Sequence, residues 1–363
     1  MQTINADSKL TIDLSVIADN YKLLCKKFTG SKVASVVKAN AYGLGIEKVA
    51  PRLAEVGCKS FFVANLDEAV QLRGVLPESE IFVFHGVCLG QEKVFCEYNL
   101  IPCIASSEQF KIWSLYANKL GKKLPAILHI DTGMNRLGIS FSCLERFVSD
   151  NDISCLDVRY VMSHLACADD EKSKKNIEQL NKIRIVAKIL PNIPISFVNS
   201  SGVFLGENYH FDLARPGVAL YGGSPNPAIK NPMRNVISLT SKIIQIRELV
   251  KDEDVGYGAT ANLKKGSKIA TLPVGYADGY VRSLGNKGFC YFGDEKLPVV
   301  GRVSMDLITV DVTSILDNEI KVGDEIEIIG NNATIDDIAT CAGTIGYEVL
   351  TSLGRRYNRV YTG

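Results

Sequence analysis

Apolar positions along this chain switch repeatedly between a helical and a strand period. Residues 13–28 place Leu14, Ile17, Tyr21 and Leu24 at helical spacing on one face, behind Asp13 as a plausible cap. Residues 32–37 follow as a β-branched run in which Val33, Val36 and Val37 read as a short buried strand, and the strand signal stops at Lys38. Gly43 and Gly45 permit a tight turn into the helical pattern of 46–56. Strand-like segments recur at 60–64, 80–85, 101–106, 126–131, 158–164, 195–200 and 211–220, which with the first makes eight. Between them 66–76, 91–99, 107–120 and 171–190 carry helix formers with periodic apolar residues. A β/α repeat of this count predicts a (β/α)8 TIM barrel.

Residues 221–235, with two glycines and prolines at 225, 227 and 232, break the pattern and read as a linker. Beyond it 236–249, 268–272, 297–300, 307–312 and 325–329 are strand-like, 335–341 and 347–353 look like short helices, and 356–361 reads as a last strand. The predicted organisation is an α/β barrel over 1–225 followed by a mostly β C-terminal domain over 226–363.

Composition supports that division, since 363 residues accommodate a barrel of about 250 residues and a smaller domain. A hydrophobic content of 46%, a charged content of 22% and a net charge of +1 suit a soluble globular protein and give no reason to expect nucleic acid or an acidic membrane as partner. Ten cysteines occur without a C-x-x-C pair, and Cys25, Cys58 and Cys96 fall in apolar helical patterns, which predicts reduced thiols in the cytoplasm. The first ten residues lack an apolar signal core, and no run approaches the roughly 18 apolar residues of a membrane span. Histidines 85, 129, 164 and 210 are dispersed, so no metal site is expected.

Lys38 carries the first chemical signal. Barrel chemistry sits at the carboxyl ends of the strands, and a lysine there becomes a nucleophile able to form a Schiff base when burial or a nearby cation disfavours its ammonium form. The plainer alternative is a stem laid along the barrel rim. Phosphate is typically held after strands seven and eight, where this chain reads Asn199-Ser200-Ser201-Gly202 and Arg215-Pro216-Gly217-Val218, hydroxyls and backbone N–H groups suited to an anion.

The run Val36-Val37-Lys38-Ala39-Asn40-Ala41-Tyr42-Gly43-Leu44-Gly45 closely resembles the pyridoxal-phosphate site of alanine racemases. The resemblance extends over nearly the whole chain through Asp131-Thr132-Gly133-Met134-Asn135-Arg136-Leu137-Gly138, Gly256-Tyr257-Gly258-Ala259-Thr260, Gly275-Tyr276-Ala277-Asp278-Gly279 and Gly301-Arg302-Val303-Ser304-Met305-Asp306. It implies pyridoxal 5'-phosphate as cofactor, carried by Lys38, and interconversion of L- and D-alanine by two bases, Lys38 and Tyr257, on opposite faces of the substrate. D-alanine for peptidoglycan synthesis is the implied product.

The same resemblance implies phosphate contacts from Tyr42, Ser201, Gly217, Val218 and Tyr347, and Arg215 against the pyridine nitrogen with His164 hydrogen-bonded to it. Arg136 corresponds to the residue that touches the cofactor's phenolic oxygen and the substrate carboxylate, and Met305 lies near the substrate pocket. Asp169, Tyr276, Arg282, Arg302, Ile345 and Tyr347 correspond to the substrate entrance. Tyr257 and Met305 are expected to reach into the partner's barrel, so a homodimer with shared active sites is implied. One departure stands out: His129 occupies a position where many members have a carbamylated lysine that braces the arginine corresponding to Arg136. Arg136 is therefore expected to be held differently, by a neutral His129 nitrogen or an anion. Related readings are a racemase for another amino acid, a barrel-type decarboxylase, against which Arg215 argues, and a cofactor carrier without turnover, against which the second domain and Tyr257 argue.

Overall fold

The computed structural model describes residues 7–316 and 318–363. They form two compact units, Ile17–Met233 and the combination of 7–16 with Arg234–Gly363.

The first unit is a barrel of short parallel strands: β2 (Lys32–Val33), β3 (Ser35–Val36), β4 (Ser60–Val63), β5 (Glu80–Val83), β6 (Ile101–Ile104), β7 (Pro125–Asp131), β9 (Asp157–Met162), β10 (Ile195–Ser196) and β11 (Leu213–Ala214), with β8 (Ile139–Ser140) added to β7. β2 and β3 are one strand interrupted at Ala34. β2 pairs with β11 and β3 with β4, so the segment from 32 to 36 is bonded on both sides and closes the ring. The (β/α)8 expectation is borne out. Buried on both faces, the strands read as continuous apolar runs: Phe61, Phe62 and Phe82 are fully buried, with the Phe62 and Phe82 rings stacked 4.6 Å apart. Each such ring contributes about 2–3 kcal/mol of burial.

Eight helices surround or connect these strands among the described residues: α1 (Leu14–Lys27), the short turn α2 (Lys38–Tyr42), α3 (Ile46–Glu55), α4 (Leu66–Val75), α5 (Glu92–Glu97), α6 (Ser107–Leu120), α7 (Leu144–Asp150) and the longer α8 (Lys174–Ile189). Their starts follow local chemistry. Asp13 Oδ1 accepts from the Ser15 and Val16 N–H groups before α1, and Asn65 and Ser106 accept from the third residue beyond them before α4 and α6. The α6 face buries Phe110, Trp113 and Ala117, and the Trp113 indole donates to the Pro125 carbonyl at 3.1 Å.

The second unit is mostly β, as expected. A six-stranded sheet runs in the order β18-β17-β20-β12-β1-β21 through β1 (Ser8–Asp13), β12 (Ile237–Lys242), β17 (Phe289–Phe292), β18 (Glu295–Pro298), β20 (Glu325–Ile329) and β21 (Asn358–Thr362). A three-stranded sheet joins β13 (Gln245–Glu248), β16 (Lys268–Leu272) and β19 (Ile308–Asp311), and a hairpin joins β14 (Glu253–Val255) to β15 (Ala261–Leu263). Leu249, Val255, Ile269 and Val300 form a small apolar cluster between these smaller sheets. Helices α9 (Ile335–Ala342) and α10 (Gly346–Ser352) precede the last strand.

Three details differ from the sequence expectation. The N-terminal segment, given no strand in the sequence reading, holds strand β1, whose alternating Leu10 and Ile12 are buried while it pairs with β12 and β21. Residues 7–16 thus fall in the same compact unit as Arg234–Gly363. The expected strand 236–249 breaks where the Ile243 N–H bonds Asp324 and the Ile244 N–H bonds Thr271, because the chain changes sheets there. The expected strand 211–220 ends at Ala214, since Pro216 offers no N–H to a ladder and Val218–Tyr221 winds into a 3₁₀ turn.

Candidate functional site

The carboxyl ends of the barrel strands gather the polar residues singled out in the sequence. Lys38 leaves β3 and enters a turn of unusual hand: Ala39, Asn40, Ala41 and Tyr42 have φ of 52°, 55°, 53° and 54°. The turn is closed by Ala41 N–H to Val37 O at 2.8 Å and Gly43 N–H to Ala39 O at 2.8 Å, one helical turn wound left-handed. Each non-glycine residue in that region costs on the order of 1 kcal/mol, so the surrounding structure holds the turn in place. Gly43 and Gly45, with φ of 84° and 99°, let the chain leave it.

Lys38 is half-buried, with its ammonium 5.8 Å from the centre of the Phe84 ring. Desolvation and the nearby Arg136 guanidinium lower its pKa, against an opposing pull from Glu68. A lysine so placed releases its proton more readily than one in water. Arg136 itself stands exposed on a loop built by Asp131, whose Oδ1 accepts from the Gly133 and Met134 N–H groups at 2.7 and 2.9 Å.

Arg215 lies at the centre of a buried polar group and is only 2% exposed. Its Nη2 donates to the Ser163 carbonyl at 2.6 Å and to His164 Nδ1 at 3.3 Å, and its Nη1 to Ser196 Oγ at 2.5 Å. Among the described residues no carboxylate pairs with it. Burial pulls its pKa down to about 10, which leaves it charged at neutral pH. Its Nε is buried without a hydrogen-bond partner, and an unsatisfied buried donor costs about 1–3 kcal/mol. A lone-pair acceptor such as an unprotonated ring nitrogen would satisfy it.

The two histidines beside it are neutral. Desolvation and then Arg215 push His129 down to about 4 and His164 well below its ordinary value. His129 Nδ1 is buried with no partner, and no hydrogen bond joins His129 to Arg136 among the described residues. Arg136 acts on His129 only through its charge.

The loops after β10 and β11 are tied together by Ser200, whose Oγ accepts from the Gly217 N–H at 2.9 Å and the Ala219 N–H at 3.2 Å. A Cβ at Gly217 would lie 2.2 Å from the Tyr42 hydroxyl, so glycine is required there by space. The Tyr42 ring packs 4.8 Å from that of Tyr221, whose hydroxyl donates to the Val36 carbonyl at 3.0 Å. Tyr42, buried Ser201, Gly217 and Val218 thus converge beside the Lys38 turn. The Gly217 N–H donates to Ser200 Oγ, and Val218 opens the 3₁₀ turn Val218–Tyr221. Asp169 is exposed on the loop after β9.

Two residues outside the sequence reading brace these loops. Gln179 of α8, fully buried, donates to Thr132 Oγ1 at 3.1 Å and the His164 carbonyl at 2.8 Å and accepts from the Ala166 N–H at 2.9 Å. Glu68 of α4 accepts from the N–H groups of Ala39 and Ala64 at 2.7 and 2.8 Å. Sequence periodicity offered no signal for either, because α4 has no distinct apolar face and that of α8 is weak.

The second unit assembles its own group. Tyr257 sits on the β14–β15 turn and is 73% exposed. A Cβ at Gly258 would lie 2.8 Å from the Arg302 guanidinium, so Arg302 packs against that turn. The Tyr276 N–H donates to Ser304 O at 3.1 Å and the Ala277 N–H to Met305 O at 3.0 Å, joining two motif loops. Buried Asp278 locks them, accepting from the Gly275 N–H and from Arg356 Nε and Nη2 at 2.6 and 2.8 Å, while Arg356 Nη1 reaches Asp306 at 2.7 Å. Arg282 opens a 3₁₀ turn whose Ser283 hydroxyl donates to Ala342 O at the end of α9, and Ile345 and Tyr347 begin α10. Tyr257, Tyr276, Met305, Ile345 and Tyr347 are exposed large side chains. Among the described residues no group of histidine, cysteine or carboxylate side chains could hold a metal ion.

The family description "Alanine racemase, N-terminal domain" matches residues 12–225, and "Alanine racemase, C-terminal domain" matches residues 236–361. The alanine racemase of Rickettsia peacockii is 46% identical over 354 residues, covering 97% of this chain and 98% of its own, and that of Brucella canis is 43% identical over 367 residues, covering 97% and 93%. A crystal structure of alanine racemase from Bartonella henselae with covalently bound pyridoxal phosphate superposes with a TM-score of 0.94 at 39% identity, covering 98% of this chain and 100% of that one.

Proposed function

The chain belongs to the alanine racemase family, and from that premise we propose that it interconverts L- and D-alanine with Lys38 and Tyr257 as bases on opposite faces of the substrate. The enzyme is a pyridoxal-phosphate-dependent racemase. When bound, the cofactor's conjugated ring accepts the electron pair left at Cα once the proton is removed.

The residues present fit that cofactor. Lys38 Nζ would carry it, the buried and unpartnered Arg215 Nε would donate to its ring nitrogen, and Tyr42, Ser201 and the Val218 N–H would hold its phosphate, with Tyr347 as a further donor. Arg215 keeps its positive charge at neutral pH and would disfavour a proton on the ring nitrogen, which would make the bound cofactor a weaker electron acceptor. That restrains side reactions at the cofactor carbon. Neutral His164 accepts from Arg215 and keeps its guanidinium oriented.

Lys38 is the observation that carries the reading. Desolvation and Arg136 favour its neutral amine, the form that takes a proton from Cα. Arg136 is the guanidinium placed for the substrate carboxylate. Tyr257 is read as the opposite base, supplied by one protomer of a homodimer to the barrel of the other, with Met305 and Tyr276 narrowing the pocket. The exposed Tyr257, Met305 and Ile345 of the C-terminal unit support that reading, since apolar side chains concentrated there are suited to burial against a second copy. Asp169, Arg282, Arg302, Ile345 and Tyr347 would line the way in. We assign the reaction to the cytoplasm, where the ten free thiols stay reduced, and its D-alanine to peptidoglycan synthesis.

The test is chiral analysis of L-alanine incubated in D₂O with the protein and pyridoxal phosphate, beside Lys38→Ala and a panel of other amino acids. D-alanine deuterated at Cα, formed from alanine only and absent with Lys38→Ala, is the expected result. Racemisation of a larger amino acid instead would reassign the substrate.

A further inference from the structure

We propose that Glu68 is a positioning residue that clamps the left-handed turn bearing Lys38 to the end of the adjacent barrel strand and so sets where the Lys38 amine sits. The proposal deepens the function assigned above and rests on Lys38 being the cofactor-bearing base.

The two ends of that turn are held by different side chains. At its far end Asn40 Oδ1 accepts from the Ile46 N–H at 2.9 Å. At its near end Glu68 Oε1 accepts from the N–H of Ala39, the residue directly after Lys38, at 2.7 Å. The other oxygen, Oε2, accepts from the N–H of Ala64, just past the end of β4, at 2.8 Å. One carboxylate therefore bridges the carboxyl ends of two neighbouring strands through main-chain donors alone. Both bonds fall in the short range of charge-assisted hydrogen bonds. Glu68 is itself fixed, because its N–H donates to the capping Asn65 Oδ1 at 3.0 Å.

Four consecutive non-glycine residues with positive φ do not stay so without such supports. Loss of the carboxylate leaves the Ala39 and Ala64 N–H groups without acceptors. An amide in its place offers one acceptor and turns a second donor toward the other N–H. The carboxylate also opposes the effect of Arg136 and desolvation on Lys38. The charged groups acting on Lys38 are then Arg136 and Glu68, and His164, which feels the charge of Lys38, is held neutral by burial.

The experiment uses the full chain and its Glu68→Gln and Glu68→Ala variants. Backbone amide exchange over residues 37–43 and 64, mass-spectrometric labelling of Lys38 by an amine-reactive reagent as a function of pH without cofactor, and kcat and KM for alanine are measured together. Exchange at Ala39 should quicken by about tenfold or more in Glu68→Ala while distant core amides stay protected. The midpoint of Lys38 labelling should move to lower pH in both variants, and kcat should fall while KM changes little. If Glu68→Ala does not fold, Glu68→Gln carries the same three readouts. Folded variants with unchanged exchange and labelling would overturn the clamp, even if their stability were lower. If exchange and labelling respond but the unmodified chain racemises nothing, the clamp stands and the racemase assignment falls.

Discussion

Arg215 shows how one buried cation organises its neighbours. Among the described residues no carboxylate pairs with it, and carbonyl, hydroxyl and imidazole dipoles hold it instead. Beside it desolvation and its charge keep His129 and His164 neutral, so both are acceptors or neutral donors at physiological pH. The sign of the pH linkage follows. His129 binds a proton near pH 6.5 when unfolded and near 4 when folded, so the unfolded chain holds more protons between those values and stability falls as pH falls through that window. The loss approaches about 3 kcal/mol at its limit. Thermal melts from pH 7 to 4.5 should therefore drop more steeply for the parent chain than for His129→Asn; equal slopes would mean that His129 binds its proton equally well in the folded and unfolded chains. At the same scale Tyr257→Phe should reduce turnover of L-alanine by about 10²-fold or more. Its exposed position predicts unchanged cofactor absorbance, and loss of that absorbance would signal a binding defect instead.

Among the elements, the short turn after β3 is the most strained. Ala39 is exposed and its φ of 52° suits glycine, while the N–H it gives to Glu68 is retained by any residue except proline. Ala39→Gly should therefore leave the clamp intact and stabilise the chain by up to about 1 kcal/mol, read as a higher melting temperature. Gly217→Ala should act in the opposite way. A methyl 2.2 Å from the Tyr42 hydroxyl must displace that ring, so affinity for pyridoxal phosphate should fall by about tenfold or more with helix content unchanged by circular dichroism. Strand-to-loop junctions here are held by side chains from the next helix, Glu68 on α4 and Gln179 on α8, rather than by the loops themselves.

For the whole molecule, the N-terminal strand belongs to the sheet of the C-terminal unit, so the two units are linked twice by the chain. The proposed sharing of sites between protomers makes a sharp prediction. Lys38→Ala and Tyr257→Phe chains should each retain little activity, yet mixing them by reversible dissociation should restore up to about a quarter of the parent activity, since half of randomly formed dimers would be mixed and each would hold one intact site. No recovery, with mixed dimers demonstrated by mass, would place both bases in one chain.

Local patterning determined a good deal. The alternation of periods conveyed the count and order of the barrel's β/α units, and the stop after Val37 marked Lys38 as a strand-end residue, because side-chain burial in a two-sided strand leaves an uninterrupted apolar run. The motif loops marked Arg136, Arg215 and Tyr257 as well. Other features were invisible because they depend on partners far away in sequence. β1 is too short and too polar to stand out until β12 and β21 flank it, and the break at 243–244 arises only because two sheets compete for one segment. Neutral histidines require the desolvation and the buried charge that folding creates. The hand of the Lys38 turn is likewise a tertiary decision: four residues that prefer the right-handed region are held in the left-handed one by acceptors from a helix 29 residues further along the chain.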